Sequence, residues 1–125
     1  MNIRPMFVQD LDQVKLIHER HFQTEFEFPD FGKFTSLFVV ENKDKQIITA
    51  GGIKPIAECI LITDKDYNVN DRVRALHKAL DISGFLSRYN NYEQLHCFVQ
   101  DELWCRQLEG HGFQPTKGKA LVLNL

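Results

Sequence analysis

At 125 residues, with 43% hydrophobic and 26% charged composition, the chain has the apolar material for one globular domain over residues 1–125 and no room for a second. A formal net charge of −2 argues against a general binder of nucleic acid or of a membrane surface, since either partner selects a basic excess. Small molecules or proteins are the expected partners. No apolar run approaches the roughly 20 residues of a membrane span, and the N-terminus does not read as a signal peptide, so a cytoplasmic location is expected.

Asn2 to Val8 reads as a first strand. Asp10 then caps a helix, with Gln13 at the capping-box position and Leu11, Val14, Ile17, His18, His21 and Phe22 at helical spacing. Six of the ten phenylalanines follow within residues 22–38, and Pro29-Asp30 starts a short second helix among them. Such a cluster is either an aromatic core on the sheet or a substrate lining. Leu37–Glu41 and Gln46–Ile53 form a hairpin around a turn at residues 42–45, and Gly51-Gly52 and Pro55 mark a bulge or bend beyond it.

The centre of the pattern is residues 57–86. Ala57–Thr63 is apolar and β-branched, as in a strand buried on both faces in mid-sheet. From Val69 the period becomes helical, with Val73, Leu76, Leu80, Ile82, Phe85 and Leu86 on one flank and Asn70 or Asp71 as the cap. A strand feeding a helix through a short loop aims the free first-turn N–H groups at the strand's C-terminal end, where an anion is favoured. Arg72 and Arg74 are further phosphate donors there or a solvated helix face.

Residues 88–92 are a polar turn and Leu95–Val99 another strand. Asp101 caps a helix with Leu103, Trp104 and Leu108 inward, ended by Gly110-His111-Gly112. Phe113–Pro115 and Ala120–Leu125 are expected to form a last hairpin around Lys117-Gly118-Lys119. The predicted order is β-α-α-β-β-β-α-β-α-β-β.

Acids and histidines on the two central strands are the candidate chemistry. Glu58, an acid costly to bury on a strand, is either functional or solvent-facing at the strand's start, and His96 on the neighbouring strand is functional or simply packs. His18 and His21, three apart on a helix, share a ligand or pack in the core; no third ligand is placed, and no metal is expected. Cys59, Cys97 and Cys105 are an odd set without CxxC spacing, in apolar periodic segments, and read as buried reduced thiols. Cys97 as a nucleophile is the less ordinary alternative, and nothing marks a nucleophile elbow.

In element order and local pattern the chain resembles the GNAT superfamily of acyl-CoA-dependent N-acyltransferases. Ile3-Arg4-Pro5 with Asp10-Leu11-Asp12 looks like the family's opening strand and helix start, and residues 61–68 with Ala75-Leu76 like the segment entering its pyrophosphate loop and the helix behind. Leu95-His96-Cys97 with Asp101 stands where the family has a strand and an Asn, and residues 108–113 resemble its closing Tyr-Glu-Lys-x-Gly-Phe. The resemblance implies an α/β fold with a mixed, mostly antiparallel sheet flanked by helices and splayed between the fourth and fifth strands. It further implies acyl transfer, acetyl above all, from a coenzyme A thioester directly to an amine on a small molecule or protein. Ile62 and Thr63 would hold the pantetheine arm, Val69, Asn70, Asp71, Arg72, Val73 and Arg74 would lie at the diphosphate, Asp101 would belong to the cofactor site, and Glu58 or His96 would be the base.

The departures fall on functional positions. Where the family has Gln/Arg-x-x-Gly-x-Gly/Ala, this chain has Asn68-Val69-Asn70-Asp71-Arg72-Val73, so Asp71 and Val73 replace two small residues that let amides approach a diphosphate. A carboxylate about 5 Å from a phosphate oxygen costs on the order of 1 to 3 kcal/mol. Leu108 replaces the tyrosine that often serves as general acid. A non-catalytic GNAT-like binding domain is therefore the rival expectation, and an oligomeric accessory protein, such as a homodimer using Ala120–Leu125 as an exposed edge, is a third.

Overall fold

The computed structural model describes residues 1–125, which form two compact units, Met1–Pro55 and Ile56–Leu125. The first is built on a three-stranded antiparallel sheet. Strand β1 (Asn2–Pro5) pairs with β2 (Ser36–Glu41) in the register Asn2↔Glu41 to Pro5↔Phe38, and β2 pairs with β3 (Ile47–Ile53) from Ser36↔Ile53 onward. Helix α1 (Leu11–His21) follows a 3₁₀ turn at Val8–Asp10. Val14 of α1 packs with Val39 and Ile47 of the sheet, and Met6, Ile17, Phe28, Phe31 and Ala50 close around them.

Three local expectations are corrected in this unit. Asp10 does not cap α1 with its side chain: its carboxylate turns back to accept from Arg4 at 2.8 and 2.9 Å and from the Phe7 amide at 2.8 Å. Gly51-Gly52 is not a bulge or bend, because both residues pair in β3 and the register shift falls at Val40/Glu41. Glycine is needed at Gly52 because a Cβ there would strike the Ser36 carbonyl and crowd Leu37 and Phe34. The first strand ends at Pro5 instead of Val8, since the chain already turns at Val8.

The phenylalanine run is aromatic packing. Phe28, Phe31 and Phe34 meet edge to face with centroids 5.4 and 5.3 Å apart, and the 3₁₀ turn Phe31–Lys33 is capped by Asp30. His18 is buried among them, its Nε2 2.7 Å from the Phe26 carbonyl oxygen and its ring edge-on to Phe26 and Phe28. It is a core histidine, and His21 is exposed beside Phe22.

The second unit places the short parallel pair β4 (Ala57–Glu58) and β5 (Leu95–His96) with helices α2 (Val69–Tyr89) and α3 (Glu102–Gly110). Its core is Leu76, Leu80 and Leu108, against which Cys59, Leu61, Cys97, Val99, Trp104 and Phe113 pack. The expected strands Ala57–Thr63 and Leu95–Val99 are thus cut to two residues each. Their alternation persists, however: Cys59, Leu61, Cys97 and Val99 face the core, whereas Ile60, Ile62 and Phe98 are 73%, 97% and 57% exposed. The segment is buried on one face, not two. The last hairpin is also absent, as residues 113–125 have no regular structure and Leu121, Val122 and Leu123 lie open to solvent. No helix is long and apolar enough to cross a membrane.

Candidate functional site

The ladder between β4 and β5 decides the geometry. Ala57↔Leu95 and Glu58↔His96 are its only pairs, and one further bond, Cys59 N–H to the His96 carbonyl at 2.8 Å, ends it. From Ile60 to Thr63 the main chain makes no hydrogen bond to another backbone group. That leaves a short row of amide donors and acceptors beside a strand end, of the kind an amide-bearing ligand pairs with. Ile62 and Thr63, the expected pantetheine contacts, are both exposed in this row.

The parallel register also brings Glu58 and His96 to the same level of adjacent strands, so the two candidate bases are neighbours on the side opposite the core-facing cysteines. Glu58 is exposed. His96 is half-buried, its ring stacked near Phe98 with centroids 6.4 Å apart, and its Nδ1 is buried with no hydrogen-bond partner. The His96 ring also borders an open groove of about 1260 Å³ that runs past Val99, Leu108 and Phe113.

At the start of α2 the expected cap moves. Asn68, with extended backbone, accepts from the Asp71 amide at 2.9 Å and donates through Nδ2 to the Asp71 carboxylate at 2.8 Å; neither Asn70 nor Asp71 is the cap. One first-turn amide is therefore already satisfied, and Asp71 supplies the negative charge that a helix N-terminus favours. Val69, Asn70, Asp71, Val73 and Arg74 are exposed around this turn. Arg72 is the exception, because its Nε is buried without a hydrogen-bond partner. Only two buried side-chain atoms in the protein are orphaned in this way, Arg72 Nε and His96 Nδ1, and both belong to candidate site residues.

Two further positions have structural explanations. Asp101 is the N-cap of α3, accepting from the Leu103 amide at 3.1 Å, so its carboxylate is used within its own helix. Leu108 is 3% exposed in the core of the second unit, so it is a packing position. The closing Gly112-Phe113 forms a Schellman motif: Gly112, at φ +104°, donates to the Glu109 carbonyl, Phe113 donates to the Leu108 carbonyl, and the Phe113 ring packs on the core.

Comparison with known proteins finds no matching family model, curated protein or solved structure.

Proposed function

We propose that the chain is a GNAT-like acyl-CoA-dependent N-acyltransferase, acetyl-CoA being the expected donor and an amine the acceptor. The observation that carries this reading is the end of the β4–β5 ladder just beyond Glu58 and His96, with the main chain of Ile60–Thr63 left unpaired. In this reading the pantetheine amides pair with that main chain, as an added strand would, and the thioester carbonyl is brought beside Glu58 and His96. The base accepts the amine's proton, and the amine nitrogen then attacks the carbonyl carbon. The thiolate of coenzyme A leaves and is protonated by water or by the same base, since Leu108 has no proton to give.

The diphosphate end of the donor is held weakly. Arg72 and Arg74 supply side-chain donors, but Asn68 occupies one first-turn amide and the Asp71 carboxylate repels a phosphate. These two features, with Leu108 in the core, favour the second reading, a GNAT-like domain that binds a ligand without turning it over.

The test is acyl transfer from acetyl-CoA to a panel of amines, measured against pH for wild type, Glu58→Gln and His96→Ala. A general base is worth about 100-fold or more, so one variant is expected to lose at least that factor together with the acidic limb of the profile. Wild-type rates in both variants would remove both residues from the mechanism. No transfer to any amine would leave the binding reading in place.

A further inference from the structure

Cys59 and Cys97 are free thiols placed side by side. The register Glu58↔His96 makes them the next pair along the two parallel strands, and the 2.8 Å bond from Cys59 N–H to the His96 carbonyl holds the chains together at that level. Both side chains pack on Leu76, Leu80 and Leu108, so they point to the same face. Neighbouring strands lie about 4.8 Å apart, inside the roughly 4.4 to 6.8 Å between Cα atoms that a disulfide spans. The Cys59 thiol donates to Ser83 Oγ at 3.6 Å, which holds it on the face that Cys97 shares. Cys97 borders the open groove, so a small oxidant reaches the pair.

We propose that Cys59 and Cys97 are a redox modification site, closing to an intramolecular disulfide when a hydroperoxide oxidises the protein. One sulfur attacks the outer peroxide oxygen, the O–O bond breaks, and the hydroperoxide leaves as an alcohol, or as water from hydrogen peroxide. The second sulfur attacks the sulfenic acid so formed, the S–S bond forms, and hydroxide leaves as water with the second thiol's proton. The two thiols lose two electrons and two protons in all, and a dithiol reductant reverses the change by exchange. Burial, with the neighbouring Cys59 and Glu58, pushes the Cys97 thiol up to about 11, so Cys97 stays protonated at neutral pH and is the resolving thiol, giving up its proton as the S–S bond forms. Transient disulfides of this kind are the ones compatible with a reducing compartment. The bond would clamp β4 to β5 where their hydrogen bonding ends.

The test uses the full chain, treated with hydrogen peroxide, quenched in denaturant with an alkylating agent and analysed by intact mass and peptide mapping. The expected monomer is lighter by two hydrogens, carries one alkylated thiol at Cys105, yields a linked peptide joining Cys59 to Cys97, and has an unfolding midpoint several degrees above the reduced form. Cys105→Ser should keep the link, and Cys59→Ser and Cys97→Ser should each lose it. Three alkylated thiols after treatment, a link that includes Cys105, or dimers in place of the monomer would each overturn the proposal, and these outcomes are read on wild type whether or not the variants fold.

Discussion

Arg4 ties the first unit together through charge. Its guanidinium binds Asp10 at 2.8 Å and Glu41 at 3.0 Å, and Asn2 adds a bond to Glu41 at 3.0 Å, so β1, β2 and the start of α1 share one polar knot. The Arg4 hydrogen bonds and the Phe7 amide hold Asp10 down at about 2, and bonds from Asn2 and Arg4 hold Glu41 below the usual carboxylate range. A carboxylate depressed on folding contributes stability that is present above its unfolded pKa, near 4, and is lost as pH falls through the folded value. Thermal unfolding between pH 2 and 5 should therefore show a midpoint that falls steeply below about pH 4 in wild type. Asp10→Asn and Glu41→Gln should each flatten that fall, and equal slopes in all three would refute the assignment. Leu108 offers a second check at this scale. Leu108→Tyr does not restore a general acid, because the position is inside the core; overpacking should cost about 1 to 3 kcal/mol by denaturant unfolding, with no gain in any transfer rate.

Among the elements, the helices were the most legible in the sequence, for a physical reason. A 3.6-residue period with a polar cap is a local signal, so α1, α2 and α3 emerge from Leu11, Val69 and Glu102 much as the spacing predicts. The cap of α2 lies at Asn68, two or three positions before the expected Asn70 or Asp71, because all three are good cap residues and only the extended backbone at Asn68 chooses among them. Asn68→Ala should cost about 1 kcal/mol, and Gly112→Ala, which forces a Cβ into φ +104°, a similar amount; chemical denaturation reads both. Strand ends were the least legible. Ala57–Thr63 has the composition of a central strand, yet its ladder stops at Glu58, because pairing depends on a partner edge that no local signal reports. Ala120–Leu125 is the extreme case, a β-prone segment that pairs with nothing here. The candidate site was legible in part. Residue type, strand position and the family resemblance point to Glu58 and His96, whereas their adjacency and the two orphaned nitrogens come from register and burial.

For the whole molecule, the claim at stake is that residues 58–74 and 95–99 serve a coenzyme A thioester. A ligand that binds only the folded state raises the unfolding midpoint by mass action, about 2.7 kcal/mol at a hundredfold excess over Kd. On the GNAT resemblance, Asp71 and Val73 would stand where a diphosphate needs small residues, so weak binding is the expectation, and the double change Asp71→Gly with Val73→Gly should tighten it despite added chain entropy and the loss of the Asn68–Asp71 pair. The most direct measurement is a thermal-shift titration with acetyl-CoA on wild type and this double variant, each referred to its own unliganded midpoint. A small, saturable rise is expected for wild type at high ligand concentration and a larger one for the variant at the same concentration. No rise in either protein, or a low-micromolar wild-type response that the double change weakens, would contradict it.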